Sequence, residues 1–336
     1  MIIQLLGLEK TIIYNDMKLK FEPNSDLNLL TKIGFGTWGI GGDAYGHIGK
    51  LRAKKLIQYA YEQGIRFFDT APLYGNGRSE IILGRALKKY PRHTYAIATK
   101  AGLYKSNSVE YRDFSQNFLL QSLNDSLNRL QSEYVDYFLL HSPTKKEIME
   151  GIHDEYSLKI IANHKAIRNF GYSLKSPHDY SVVKNISKLN AIEFNYSIMD
   201  QRANEQSLDL SPQKLLIKIG RTPYNYGFLS NSPPPKSPPQ GANYHLSRWS
   251  KLQFDKWHDF RRIWLDIAVS NNLRLEELAL SFVLSSKSID IVIPGFLKKG
   301  HIDSAISTGK RGPLDQSSRQ YLEEIYRQNM LKYTVG

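Results

Sequence analysis

Four side chains in this sequence have types and spacing suited to chemistry: Asp69, Tyr74, Lys100 and His141. Asp69 ends the run IRFFD, Tyr74 follows in TAPLYGNG, Lys100 ends TYAIATK and His141 ends YVDYFLLH. A phenol, with a pKa of about 10, is a weak proton donor at neutral pH. A neighbouring ammonium favours the phenolate and lowers that pKa. A buried ammonium in turn needs a carboxylate partner to stay charged. The grouping therefore predicts that Asp69 holds Lys100 and that Lys100 tunes Tyr74. His141 then hydrogen-bonds a carbonyl oxygen, and Tyr74 protonates that oxygen as hydride reaches the carbon.

These residues act together only if separate elements bring them to one place. Short apolar runs alternate with helical patterns along the chain. Strands are expected at Lys32–Thr37, Arg66–Asp69, Thr94–Thr99, Val135–Leu140, Ile167–Tyr172, Ala191–Asn195, Leu215–Gly220 and Ile289–Ile293. Helices are expected at Arg52–Gln63, Ser79–Lys89, Gln116–Leu130, Ser157–Ala162, His178–Ile186, Lys256–Ser270 and Leu275–Ser285, then from about Gly300 and again after Pro313. Right-handed strand–helix–strand crossings close such a series into a (β/α)8 barrel, an α/β fold of the TIM-barrel type. Asp69, Tyr74, Lys100 and His141 then share the mouth at the strand C-termini, where such barrels carry their chemistry. Residues 1–16 read as an extension and 17–336 as one barrel domain, with Met17–Leu30 as a short hairpin.

The stretch IRFFDTAPLYGNGRSEIILGRAL resembles the second strand, turn and helix of the aldo-keto reductases. KIGFGTW, IATKAG, YVDYFLLHSP and IVIPGF resemble further blocks of that family, in the same order, and the resemblance runs from Met17 to Ala305. It implies that the Met17–Leu30 hairpin plugs the barrel end opposite the mouth, and it implies a nicotinamide cofactor, NADP(H) with NAD(H) as the alternative, and reduction of an aldehyde or ketone to an alcohol. Some relatives instead hold the cofactor as slow or non-catalytic regulatory subunits, and a sugar-derived substrate is a further alternative.

By the same resemblance, Gly36, Thr37 and Trp38 pass near the nicotinamide, with Trp38 either walling the substrate pocket or acting as a plain rim aromatic. Ser173 binds the nicotinamide amide. The family's following asparagine is replaced by Leu174, and its glutamine near Ala191 is missing from AIEFNYS, which leaves Asn195 or Glu193 as substitutes. In IGRTPYNYGFLS, Arg221 lies beside the nicotinamide or forms a surface ion pair. Pro223, Tyr224, Gly227 and Leu229 belong to a segment that folds over the pyrophosphate, with backbone amides available to phosphate oxygens. Pro294 and Gly295 open the turn of IPGFLKKGHIDSAI. Lys298, Lys299 and His301 meet a 2′-phosphate at a helix N-terminus, unless the lysine pair is simply solvated.

Composition narrows the other classes. The 45 Lys and Arg exceed the 32 Asp and Glu, for a net charge of +13, yet the basic pairs are scattered and no nucleic-acid motif is present. The excess reads as a solvated surface that attracts a phosphorylated cofactor, and Lys105, Arg112, Lys145 and Lys146 as a rim that steers an anionic substrate. The chain has no cysteine, which excludes disulfides and thiolate chemistry. No histidine grouping has metal-ligand spacing, so no metal is expected, and no G-x-S-x-G elbow marks a hydrolase. MIIQLLGLEK lacks a secretory pattern and no run reaches the roughly 20 apolar residues of a membrane span, so a cytoplasmic location is expected. The oligomeric state is open.

Thr222–Phe254, with SPPPKSPPQG at its centre, is the longest irregular stretch. Long loops of this kind are usually functional lids or disordered. Its place after the seventh strand and its aromatics (Tyr224, Tyr226, Phe228, Tyr244, Trp249) suggest a lid over cofactor and substrate.

Overall fold

The computed structural model describes residues 17–22, 31–42, 45–106, 109–149, 155–186, 188–206, 216–232, 235–238 and 245–333. Among them, eight parallel strands form one sheet. In chain order they are β1 (Phe35–Gly36), β2 (Phe67–Asp69), β3 (Ala96–Ala101), β6 (Val135–His141), β7 (Ile167–Ser173), β8 (Ala191–Asn195), β9 (Ile217–Arg221) and β10 (Ile291–Ile293). Each pairs with the next, as right-handed crossovers require. Parallel bridges Ile33↔Val292 and Gly36↔Gly295 join the first strand to the last and close the barrel. The fold is the expected (β/α)8 barrel.

The expected helices lie between the strands, with small shifts at their ends. Gln116–Leu130 matches expectation: Ser115 caps it by accepting from Phe118 N at 3.4 Å, and Leu119, Leu123 and Leu130 are buried along it. Lys251–Ser270 starts five residues early because Ser250 caps it, accepting from Gln253 N at 3.1 Å. The irregular segment after β9 therefore ends before Lys251. His178–Ile186 is instead a 3-10 turn (Pro177–Asp179) running into a short helix (Tyr180–Val183).

The sequence reading missed a two-stranded hairpin, β4 (Leu103–Ser106) with β5 (Val109–Arg112), standing on the mouth after β3. In the sequence, LYKS and VEYR on either side of Asn107 and Ser108 carry the alternation and polar residues that predict it. Residues 1–16 lie outside the described residues, as does most of the expected plug hairpin. Its described part, 17–22, makes an antiparallel bridge from Phe21 to Leu314. No helix among the described residues is long and apolar enough to cross a membrane.

Inside the barrel, Phe67, Ala98, Ile219 and Ile293 pack as an apolar layer. Two residues further along the strands the inward positions turn polar: Asp69, Lys100 and Arg221. Small residues allow the strands to approach. A Cβ on Gly171 would lie 2.0 Å from the Ala191 carbonyl oxygen, with no flexible side chain to yield. Gly171→Ala is expected to cost about 3 kcal/mol or more through overpacking. Gly300→Ala, where a Cβ meets nothing within 4 Å in a helix, is expected to be neutral or stabilising by up to about 1 kcal/mol. Urea unfolding of the two variants checks the contrast.

Candidate active site

Asp69 ends β2 and lies beside Lys100 on the next strand. Lys100 is wholly buried, and its Nζ donates to Asp69 Oδ1 and, at 3.1 Å, to the Thr70 carbonyl oxygen. The same Nζ lies 5.3 Å from the centre of the Tyr74 ring. The His141 ring stands edge-on to Tyr74 with centroids 6.0 Å apart. All four predicted residues therefore meet at the mouth.

Local sequence explains how Tyr74 reaches that position. The turn after it carries three consecutive positive φ values, Gly75 (63°), Asn76 (51°) and Gly77 (82°), a geometry that glycine and asparagine adopt at low cost. A Cβ on Gly75 would fall 2.3 Å from the Gly41 carbonyl oxygen, so the turn lies directly on the short helix Trp38–Gly41. The Arg78 guanidinium fastens the end of that helix by donating to the carbonyl oxygens of Ile40, Gly41 and Ile48. Glu80, also buried, accepts from Thr99 Oγ1 and Arg129 Nε, each at 2.6 Å.

The electrostatics depart from the simple expectation. Burial opposes the Lys100 charge, but Asp69 and Glu193 more than offset it and hold its pKa above the ordinary lysine value. Burial pushes the Tyr74 phenol above its ordinary value; Lys100 and Arg221 pull it down, while Asp69 and Glu193 push it further up. The tuning by Lys100 is present, yet burial outweighs it. Asp69 is raised by burial and by Glu193, against the pull of Lys100. Burial, then Lys100, Arg221 and Arg112, hold His141 well below the ordinary histidine value. It is neutral at physiological pH.

The residues expected near a cofactor divide into two groups. Ser173, Asn195 and Arg221 lie at the mouth. Ser173 Oγ donates to Glu193 Oε1 at 3.0 Å, and Asn195 Oδ1 accepts from Arg221 Nη1 and, at 2.8 Å, from Thr222 Oγ1. Arg221 Nη2 donates to the Leu174 carbonyl oxygen at 2.9 Å, so its ion pairing is internal rather than on the surface. Trp38 lies 6.3 Å from Tyr74 and 6.4 Å from Tyr226 between ring centres, forming an aromatic wall. By contrast, the Thr37 hydroxyl is taken up by the barrel, donating to the Asp69 carbonyl oxygen at 2.8 Å and accepting from Ser79 Oγ at 2.6 Å. Gly36, Pro294 and Gly295 form the closing seam, where Gly36 N donates to the Pro294 oxygen at 2.9 Å.

The segment after β9 folds on itself. The amides of Gly227 and Leu229 donate to the Tyr224 carbonyl oxygen at 2.9 and 3.1 Å, so they are already committed within the turn, and Pro223 is buried beside it. Tyr226 leads into a cluster of Phe228, Leu246, Trp249, Phe254 and Trp257. Tyr244 lies outside the described residues. Lys298 and Lys299, with Lys50, Arg52 and Lys55, line a cavity of about 790 Å3 beside the last strand. His301 does not line it; its Nδ1 accepts from the Leu297 amide at 3.4 Å. Of the expected basic rim, Arg112 is committed to Glu147 at 2.6 and 2.8 Å and to the Ser142 carbonyl oxygen at 2.7 Å. No group of residues able to hold a metal ion occurs among the described residues.

Glu193 was only one of two suggested substitutes in the sequence reading, yet it is the most connected addition to the site. It is buried, with Oε2 3.2 Å from Lys100 Nζ and Oε1 3.6 Å from Arg221 Nε. A charged residue inside the otherwise apolar run AIEFN was the available signal.

The closed parallel barrel thus brings a buried Lys–Asp pair beside a tyrosine and a histidine at its mouth. The model of the aldo/keto reductase family matches residues 32–327, and the chain belongs to that family, whose members act on carbonyls and alcohols with NAD(P). It is 25% identical over 295 residues to the aldo-keto reductase YhdN of Bacillus subtilis, covering 82% of this chain and 83% of that one. It is 28% identical over 312 residues to the uncharacterized oxidoreductase YqkF of the same organism, covering 92% and 96%. Among solved structures, the holo form of aldo-keto reductase AKR11C1 from Bacillus halodurans superposes with a TM-score of 0.72 at 25% identity, covering 92% of this chain and 96% of that one.

A neutral buried His141 makes stability depend on pH. Its folded pKa lies below the unfolded value of about 6.5, so below that pH the unfolded chain binds a proton that the folded chain refuses. The His141 contribution is present in full above about pH 6.5 and declines as pH falls beneath it. Replacing His141 with Gln is expected to flatten the thermal midpoint's fall with acidity in that window, measured by scanning calorimetry from pH 7.5 to 5.

Proposed function

We propose that this protein is an NADP(H)-dependent reductase of aldehydes or ketones, sugar-derived carbonyls included, with Tyr74 as the general acid. The observation that carries this reading is the wholly buried Lys100, held by Asp69 and set 5.3 Å from the Tyr74 ring, with His141 edge-on to the same ring. His141 Nδ1 is buried without a hydrogen-bond partner, and Gly295 leaves open space at the seam, where a Cβ would meet only the Gly36 oxygen at 4.0 Å. Both features suit a polar molecule entering at the mouth, and the basic cavity at Lys298 and Lys299 suits an anionic end of it. The nicotinamide, when bound, supplies hydride to the carbonyl carbon.

The protein's part is to hold and move the proton. Neutral His141 donates a hydrogen bond to the carbonyl oxygen and orients it. Tyr74 transfers its phenolic proton to that oxygen as negative charge develops there. Lys100 stabilises the resulting phenolate, and Asp69 keeps Lys100 charged and in place. Trp38 and Tyr226 wall the pocket, and the aromatic cluster around Trp257 anchors the segment after β9, which closes over the bound molecule and excludes water.

Tyr74→Phe is expected to lower kcat by about 10²–10⁴-fold while cofactor binding, read by tryptophan quenching, persists. Equal turnover of the two enzymes on a proven carbonyl substrate would remove Tyr74 from this role. Replacing Lys298 and Lys299 together with Ala is expected to weaken NADPH about tenfold, or about 1.4 kcal/mol, and NADH little. Steady-state KM values for both cofactors check this. Hydrogen exchange is expected to slow across Tyr224–Ser230 and Leu246–Trp249 when NADPH binds; unchanged exchange with bound cofactor would disprove closure.

A further inference from the structure

Glu193 has no part in the proton transfer just described, yet the barrel aims it at the centre of the site. It sits midway along β8, opposite Ser173 on β7 and Ile219 on β9. The Ser173 hydroxyl donates to Oε1 at 3.0 Å, and this fixes the carboxylate plane. The other oxygen is thereby turned to Lys100 Nζ at 3.2 Å, off hydrogen-bonding alignment and with no other donor. Lys100 thus lies between two carboxylates, Asp69 and Glu193, where the proposed proton transfer uses one.

We infer that Glu193 is a positioning residue, a second counter-ion of Lys100 whose negative charge sets the pH at which Tyr74 gives up its proton. This rests on the reading of Tyr74 as the acid. The charged and titratable groups that face Tyr74 are Lys100 from β3, Asp69 from β2, His141 from β6, Glu193 from β8 and Arg221 from β9. His141 is neutral, so Lys100 and Arg221 support the phenolate while Asp69 and Glu193 oppose it. Removing Glu193 leaves the two cations facing one carboxyl group, and in so dry a site that change acts with little screening. With Glu193 in place the phenol stays protonated to higher pH. That state is the one needed to donate to a carbonyl, whereas alcohol oxidation needs the phenolate as base. Glu193 therefore raises the pH at which Tyr74 changes from proton donor to base.

Glu193→Gln tests this, since it keeps the shape and the acceptor for Ser173 and removes only the charge. Tyrosine labelled with ¹³C at Cζ gives a Tyr74 resonance, identified as the one missing from Tyr74→Phe, that can be titrated without substrate. In Glu193→Gln its midpoint is expected to move to lower pH by about one unit, and the pH midpoint of alcohol oxidation is expected to follow. Glu193→Asp, with its charge one methylene further back, must move the midpoint in the same direction by less, and it carries the test if the Gln variant does not fold. A midpoint that stays in place, or rises, in a folded variant overturns the inference. If the resonance shifts but Tyr74→Phe leaves turnover unchanged, the proposed acid is wrong and the electrostatic inference stands. If Tyr74 is essential and its resonance does not shift, only the inference about Glu193 falls.

Discussion

A positive charge sealed from water governs the mouth of this barrel. Lys100 has no solvent contact, and burying an unpaired ion costs several kcal/mol even after relaxation. Asp69, Glu193 and the Thr70 carbonyl oxygen offset that cost. Three separate segments must therefore hold their geometry for one side chain to remain charged. Breaking such a pair leaves an uncompensated buried charge, which is more damaging than never having built it. The arrangement contributes little net stability; its value lies in placing a fixed field beside a phenol.

Much of the most recognisable sequence serves that field indirectly. In LYGNGRSE it is Tyr74 whose ring faces Lys100 and His141. Gly75 allows the turn to lie on Gly41, Arg78 holds the end of the helix Trp38–Gly41, Ser79 ties Thr37 to the β2 end, and Glu80 joins Thr99 and Arg129. The motif is dense because a tyrosine on a turn is only as well placed as the backbone beneath it. The same logic accounts for Thr37, whose hydroxyl steadies the Asp69 backbone.

The rim differs from the centre in kind. Phe228, Leu246 and Phe254 form a small apolar cluster of their own, and Trp257 packs against both it and the main core. The cluster therefore fastens the segment after β9 to the helix Lys251–Ser270. The amides of Gly227 and Leu229 are both committed to the Tyr224 carbonyl oxygen within that segment's turn. On the other side, Arg112 bridges the β4–β5 hairpin to Glu147, and so it braces the rim instead of presenting a free charge.

The barrel, its strand order and the convergence of Asp69, Tyr74, Lys100 and His141 were legible in the sequence. Alternating strand and helix patterns admit few topologies, and residues at strand ends must share one mouth whatever the details of packing. The β4–β5 hairpin was legible too, in the alternation of LYKS and VEYR, and was missed because its strands are short and largely exposed. Glu193 was visible only as a charge in an apolar strand. Which of Glu193 and Asn195 faces Lys100 depends on the register of β8 against β7 and on the Ser173 hydroxyl, and sequence spacing does not supply that alignment. The acidity of Tyr74 was the point on which the sequence misled. It records the charges that pull on a phenol, but the desolvation that outweighs them exists only once the neighbouring strands have closed around it.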